Sequence, residues 1–243
     1  MSKWLAFQLH GPMASWGDIA VGEIRPTWNH PTRSAVIGLL SAALGIKRDE
    51  EEMLLRVSRG YRLAFRVVNN GQLIRDYHTI HIPEPRSKKS ARIYHTRKTA
   101  LESPDNEIRT QLSSRDYLCD SCCTVFVKEF DAPFSLEELK NYLLEPVFTL
   151  YLGRKSCPPA LPLHPFIIEA ESLKDVCTLY DAENPSLSEF MRRTSHAFPV
   201  FWEDGIEAGV DGFQKEIRRD QLRSRKRWQY FDRIEYRGFV EGE

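Results

Sequence analysis

The order of apolar periods along this 243-residue chain predicts an α+β protein. Three observations carry that reading: an N-terminal strand pattern feeding a small-residue helix, a hairpin signal at Asn69-Asn70-Gly71, and a capping-box helix followed by a further strand. Trp4–Leu9 is an apolar strand pattern that ends at the turn residues His10-Gly11-Pro12. A glycine-containing loop with Trp16, Arg25 and Trp28 leads to Pro31-Thr32, and Ser34–Leu44 then reads as an apolar helix. Gly45–Asp49 makes a turn, with Asp49 as the expected cap of a short helix to Ser58. Tyr61–Val68 alternates as a strand, Asn69-Asn70-Gly71 is a hairpin turn that favours positive φ, and Gln72–Thr79 is expected to return as the partner strand.

The stretch from 80 to 114 is polar, proline-containing and basic, and it reads as a long insertion without assigned secondary structure. Order resumes at Arg115–Cys119, entering a strand that runs to Lys128, where Cys119, Cys122 and Cys123 serve as small apolar fillers rather than zinc ligands. Ser135-x-x-Glu138 is a capping box, and Leu136, Leu139, Leu143 and Leu144 make an amphipathic helix that Pro146 ends. Phe166–Ala170 is the next strand. The resulting β-α-β-β-α-β order is that of a ferredoxin-like core over residues 1–170, with the insertion at about 80–114. Such sheets include the RRM-like platforms that bind RNA, although the usual aromatic RNP segments are absent here. Residues 171–243 read as a smaller β-rich part, with strands at Phe198–Trp202 and Trp228–Tyr236 flanking a basic, helix-like run, Ile217–Arg227.

With 34 basic and 34 acidic residues the chain is formally neutral, which argues against nucleic-acid binding through overall charge. The charges are nonetheless segregated. Arg75–Lys98 holds seven Lys/Arg against two acids, and Arg218–Arg237 eight against three, so two basic zones suit a polyanion while the remaining surface is left for protein partners. Five cysteines without secretory features, together with the lack of a long apolar run or lipidation motif, lead to the expectation of a soluble cytoplasmic protein with free thiols, no membrane contact and no cofactor.

Two segments offer anion chemistry. The helix start at Thr32, Arg33 and Ser34 presents free amides, hydroxyls and a guanidinium to a phosphate, or else is ordinary capping. Gly153-Arg154-Lys155-Ser156 is a glycine-kinked basic loop, too short and wrongly spaced for a Walker A motif, and reads either as a phosphate cradle or as a solvated turn. Trp16 and Tyr77 are stacking candidates, with core packing and a cross-strand contact as the respective alternatives. His78 and Ser156 offer polar groups for base edges or the 2′-OH. His78, His81, His95 and Lys98 also admit a metal-independent endoribonuclease, which needs a base at the 2′-OH and an acid at the leaving oxygen.

Four segments in this order resemble one known family: Leu9-His10-Gly11-Pro12-Met13-Ala14-Ser15-Trp16-Gly17 with Arg25-Pro26-Thr27 and Pro31-Thr32-Arg33-Ser34, then Arg75-Asp76-Tyr77-His78-Thr79, then Arg115-Asp116-Tyr117-Leu118-Cys119-Asp120, then Tyr151–Pro158. Together they are similar to the CasD family, RAMP-superfamily subunits of type I-E CRISPR Cascade complexes. The resemblance covers about residues 1–165, and the interior of the insertion departs from it. It implies a ferredoxin-like palm with a long inserted thumb, together holding the repeat-derived 5′ handle of the CRISPR RNA. It further implies contacts with a Cascade backbone subunit and the large PAM-reading subunit, only indirect engagement of target DNA, an antiviral role and no catalysis. Carried over, the RNA-binding residues would be His10, Gly11, Pro12, Trp16, Arg25, Thr32, Arg33, Ser34, Tyr77, His78, Gly153, Arg154, Lys155 and Ser156.

Overall fold

A computed structural model describes residues 1–83, 95–102, 108–192 and 197–241. The residues of β1 (Ser2–His10), next to one edge of the main sheet, alternate between two cores. Leu5, Phe7 and Leu9 enter one core while Trp4 and Ala6 enter the other, as the two-residue side-chain period requires. β4 (Tyr61–Asn69) and β7 (Cys122–Glu129) do the same, with Leu63, Phe65, Val125 and Val127 on the first side and Ala64, Val68, Cys122 and Phe126 on the second. Burial on both faces explains why these strands are apolar almost throughout.

α1 (Arg33–Ala43), α2 (Glu51–Gly60) and α4 (Leu136–Leu144) cover the first face; α5 (Leu173–Glu183) and α6 (Pro185–Arg192) cover the second. Thr32 caps α1 and Ser135 with Glu138 forms the expected capping box of α4. The N-cap of α2 is Glu50, without a side-chain cap bond, rather than the expected Asp49. β1 pairs antiparallel with β7 and β8 (Phe166–Ala170), and β7 pairs with β4, so these four strands lie in the order β8-β1-β7-β4.

The C-terminal region departs from expectation in three ways. It opens with the helices α5 and α6, signalled by a second capping box at Ser172-x-x-Asp175 that the sequence reading passed over. Its strands β9 (Ala197–Glu203), β10 (Gln214–Ser224) and β11 (Gln229–Glu241) continue the main sheet through β4–β9 pairing, giving seven strands in the order β10-β11-β9-β4-β7-β1-β8. The basic run expected to be helix-like is mostly strand β10, turning at 225–228.

A second, smaller sheet stands beside the first. β2 (Met13–Ala14), β3 (Ile24–Arg25) and β6 (Ile108–Cys119) form it, and β5 (Gln72–Pro83) pairs along the whole of β6 from Gln72↔Cys119 to Pro83↔Ile108. The hairpin expected across Asn69-Asn70-Gly71 is therefore corrected: the turn carries the chain from one sheet to the other, because β4 is already flanked by β7 and β9 and β5 finds its partner in β6. Both ends of the expected unstructured insertion are therefore strand, and α3 (Arg97–Leu101) lies within it. Lys88, Lys89 and Arg92, expected in the inserted arm, lie outside the described residues. Tyr117–Lys128, read as one strand, is the end of β6, a turn at Asp120-Ser121, and β7. Among the described residues no helix is long and apolar enough to cross a membrane.

Candidate nucleic-acid interface

The residues leaving β1 and those of the 151–158 loop lock together through backbone contacts. Ser15 N donates to Leu152 O at 3.1 Å, Leu152 N to Cys157 O at 2.7 Å, and Ala160 N to His10 O at 3.0 Å. Two glycines permit this approach. A Cβ on Gly11 would come within 2.7 Å of Pro158 O, and one on Gly153, which has φ 83°, within 1.8 Å of Ser15 O.

Arg154 joins the pieces. Its Nη1 donates to Asp116 O at 3.3 Å, its Nη2 to Arg25 O at 3.1 Å, and its guanidinium lies 4.7 Å from the centre of the Tyr117 ring. These contacts are to neutral carbonyls and an aromatic face, so they orient the cation without neutralising it. The nearby Asp116 carboxylate is held by Arg75 at 2.7 and 3.0 Å; that ion pair, with the more distant Arg154, keeps its carboxyl below the usual range. Lys155 and Ser156 are exposed beside it, as are Pro12 and Arg25, whose Nη1 donates to Gly22 O and Ile24 O.

β6 carries this junction to the hairpin. Ser114 lies between Ile24 of β3 and Tyr77 of β5, which places Tyr77 two strand spacings, ~10 Å, from Ile24. Tyr77 is 65% exposed, so the cross-strand alternative leaves its ring largely open to solvent. His78, half-buried, opposes Ser113. His10 is half-buried, with Nδ1 3.2 Å from Ser121 O.

Trp16, Thr32 and Arg33 are placed differently. Trp16 is 4% exposed and belongs to the core, so its indole offers no free stacking face, although its Nε1 has no hydrogen-bond partner. Thr32 is the α1 N-cap; its hydroxyl donates to Trp16 O at 3.1 Å and accepts from Ala35 N at 3.3 Å. The remaining anion position at this helix start is taken by the protein itself, since Arg33 N donates to Asp220 Oδ2 at 2.7 Å.

The Arg33 guanidinium points inward. Nη1 meets Glu203 Oε1 at 3.1 Å, and Nη2 donates to Tyr61 O at 3.2 Å and to Ser58 O. Around it Arg233 bridges Asp220 and Glu235, Glu235 reaches His30 Nε2 at 3.1 Å, and Arg218 packs 3.7 Å from the centre of the Trp28 ring. Three arginines, three carboxylates and a histidine thus close a buried network. Burial, reinforced by the two guanidinia, outweighs the Glu235 partner and holds the His30 imidazole below its ordinary pKa. Burial alone would raise the Glu235 carboxyl, but the hydrogen bond with His30 and the nearby Arg233 and Arg218 guanidinia keep it well below the usual range. Arg33 as a surface phosphate ligand is therefore corrected: its charge is consumed internally.

Ser34 is half-buried and lines a cleft of about 670 Å³ that also reaches Gly153 and Arg154. Lys47, Arg48 and Arg225 line the same cleft. They were missed because up to 191 positions separate them from Ser34 in sequence, and no local pattern connects them. A second cleft, about 630 Å³, lies beside Arg66 and Cys177 and includes none of the predicted residues.

A family model described as CRISPR-associated protein (Cas_Cas5) matches residues 4–236. The chain belongs to the Cas5 family. Over 166 residues it is 37% identical to the CRISPR system Cascade subunit CasD of Escherichia coli (strain K12), covering 67% of this chain and 70% of that protein. Among solved structures, a chain of a "CRISPR RNA-guided surveillance complex" superposes with TM-score 0.67 at 23% identity, covering 98% of this chain and 90% of the other. A "Cas protein" crystal structure superposes with TM-score 0.60, also at 23% identity, covering 98% and 95%. These two likenesses establish a shared fold, an α+β arrangement with antiparallel sheets.

Proposed function

We propose that this Cas5-family chain is a non-catalytic subunit of a Cascade-type CRISPR surveillance complex that grips the repeat-derived 5′ handle of the CRISPR RNA. In this reading β8-β1-β7-β4 with α1 and α4 is a ferredoxin-like palm, and the insertion at about 80–114, whose described ends are the paired strands β5 and β6, is the thumb. The observation that carries the reading is Arg154: an oriented, unpaired cation at the meeting point of three of the four segments that resemble the family. Arg25 and Lys155 add phosphate contacts nearby, Ser156 and His78 polar contacts, and Tyr77 a stacking face across β6. The subunit's other surfaces join the backbone filament and the large PAM-reading subunit, it meets target DNA only through them, and it works in the cytoplasm.

The absence of catalysis is supported by strand geometry. His78 and His81 are three apart on β5 and so project to opposite faces, which separates a would-be base from a would-be acid.

The test is co-purification of the tagged chain with its partner proteins and a repeat–spacer RNA, followed by end-mapping and crosslinking. RNA with an intact 5′ handle, crosslinked to residues 10–34 and 151–157 and weakened by Arg154→Glu, is the expected outcome. Retention of partner proteins without RNA crosslinks would make the role architectural, and new RNA ends without another nuclease would make it an endoribonuclease.

A further inference from the structure

The cleft that begins at Arg154 does not stop at the loops. It runs along the outer side of α1 to the turn joining β10 and β11, far from the hairpin. The chain carries as many acids as bases, yet the described residues lining this cleft include four cations (Lys47, Arg48, Arg154 and Arg225) and no carboxylate. Exclusion of one sign from a concave surface on a neutral protein concentrates positive potential there. Its floor is open: a Cβ on Gly38 of α1 would touch nothing within 4 Å.

At the far end stands Trp228. It is 61% exposed, and its backbone holds φ 53°, a left-handed conformation that a bulky residue adopts only when its surroundings impose it. Arg225 lies 4.0 Å and Arg48 5.9 Å from the centre of its ring, and Arg225 Nη1 also donates to the Tyr230 hydroxyl at 3.2 Å. The turn is fixed from behind, because Glu51 of α2 accepts from the Ser224 hydroxyl and, at 3.4 Å, from Lys226 N. Glu51 is thus occupied at the back of the turn, and Asp49, Glu50 and Glu52, which follow Arg48 in sequence, line a separate recess rather than this cleft. Trp16, on the cleft wall, supplies an indole Nε1 that is buried without a partner.

We infer that this cleft is a second single-stranded RNA subsite, in which an unpaired base stacks on Trp228 while Arg48, Arg225 and Lys47 hold the flanking phosphates. The inference rests on the proposed RNA-binding role and extends it, since Arg154 opens into both surfaces. An exposed indole that carries the Arg225 guanidinium over its ring, with Arg48 farther out, matches the recognition of unstacked nucleotides, where cation–π contacts add to base stacking and the backbone provides the negative charge. A volume of about 670 Å³ suits a short segment rather than a duplex.

The test uses the assembled complex carrying repeat–spacer RNA with a photoreactive uridine placed in turn at each uridine-compatible handle position. Crosslinked peptides are mapped, and the salt concentration that releases half the RNA is compared among wild type, Trp228→Ala, Trp228→Phe and Arg154→Glu. Trp228 is exposed, so equal melting temperatures are expected for both of its variants and serve as the folding control. A crosslink within 222–230, a roughly tenfold or greater loss of RNA affinity in Trp228→Ala and near-normal binding in Trp228→Phe are expected. Wild-type retention in Trp228→Ala, with crosslinks confined to 151–157, would overturn the subsite while leaving the handle-binding role intact. Crosslinking of the 222–230 peptide to a protein subunit instead of RNA would overturn it equally. Retention unaffected by Arg154→Glu, with no RNA crosslink anywhere in the chain, would overturn both.

Discussion

Arg33 and Arg154 sit in segments that look alike in sequence, each a basic residue within two positions of a hydroxyl at the edge of a loop, yet they have opposite fates. Arg33 is sealed in a network with Glu203, Asp220 and Arg233, whereas Arg154 touches only carbonyls and a tyrosine ring. The difference lies in what the distant chain delivers. β9 to β11 bring three carboxylates to the start of α1, whereas the one carboxylate near Arg154 among the described residues, that of Asp116, is taken by Arg75. A cation left without a carboxylate by the fold is one available to a ligand; a cation surrounded by them is structural.

The comparison breaks most sharply at Arg33. Arg33→Met strands Glu203 in the core and should cost about 3–5 kcal/mol, lowering the melting temperature by on the order of 10 °C. The double variant Arg33→Met/Glu203→Leu should recover most of that loss, and RNA binding per folded molecule should be unchanged in both. Thermal denaturation with parallel binding assays reads both effects; a large binding defect in a fully folded Arg33→Met protein would return this residue to the RNA site.

A smaller effect comes from acid. His30 is buried neutral between Glu235, Arg218 and Arg233, so the unfolded chain binds a proton near pH 6.5 that the folded chain refuses. Stability therefore falls as pH drops below 6.5, by up to ~1.4 kcal/mol per pH unit, and Glu235 adds a further loss as pH falls through the ordinary carboxylate range. His30→Gln, which keeps an N–H for Glu235, should flatten the slope between pH 6.5 and 5 in urea titrations. An unchanged slope would place the sensitivity elsewhere.

The smallest effect sharpens the other side. Lys155→Ala removes one exposed phosphate contact and should leave stability within 0.5 kcal/mol, roughly, while reducing the slope of log affinity against log salt by about 0.7. An unaltered slope would show that Lys155 makes no phosphate contact.

Strands buried on both faces, such as β1, were legible because apolar runs and turn residues marked them, and α4 announced itself with a capping box. β10 was not. Its inward positions include Arg218 and Asp220, charged rather than apolar, so the two-residue period exists in the structure without appearing in hydropathy. β5 and β6 were under-read for the opposite reason, since much of their length is exposed and no buried face imposes alternation. Of the candidate site, the loop residues around Gly153 were recognisable from glycine and basic residues together. Its far wall at Arg225 and Trp228 depends on contacts between opposite ends of the chain, which no local window contains.

The cap on α1 has a consequence for how this protein is made. Glu203, Asp220 and Arg233 leave the ribosome 170 to 200 residues after Arg33. Until then the nascent chain must either keep a guanidinium hydrated inside its future core or leave α1 undocked. β9 to β11 therefore act as the closing step of this core, and a nascent chain arrested before β9 would expose the very face that α1 is meant to cover.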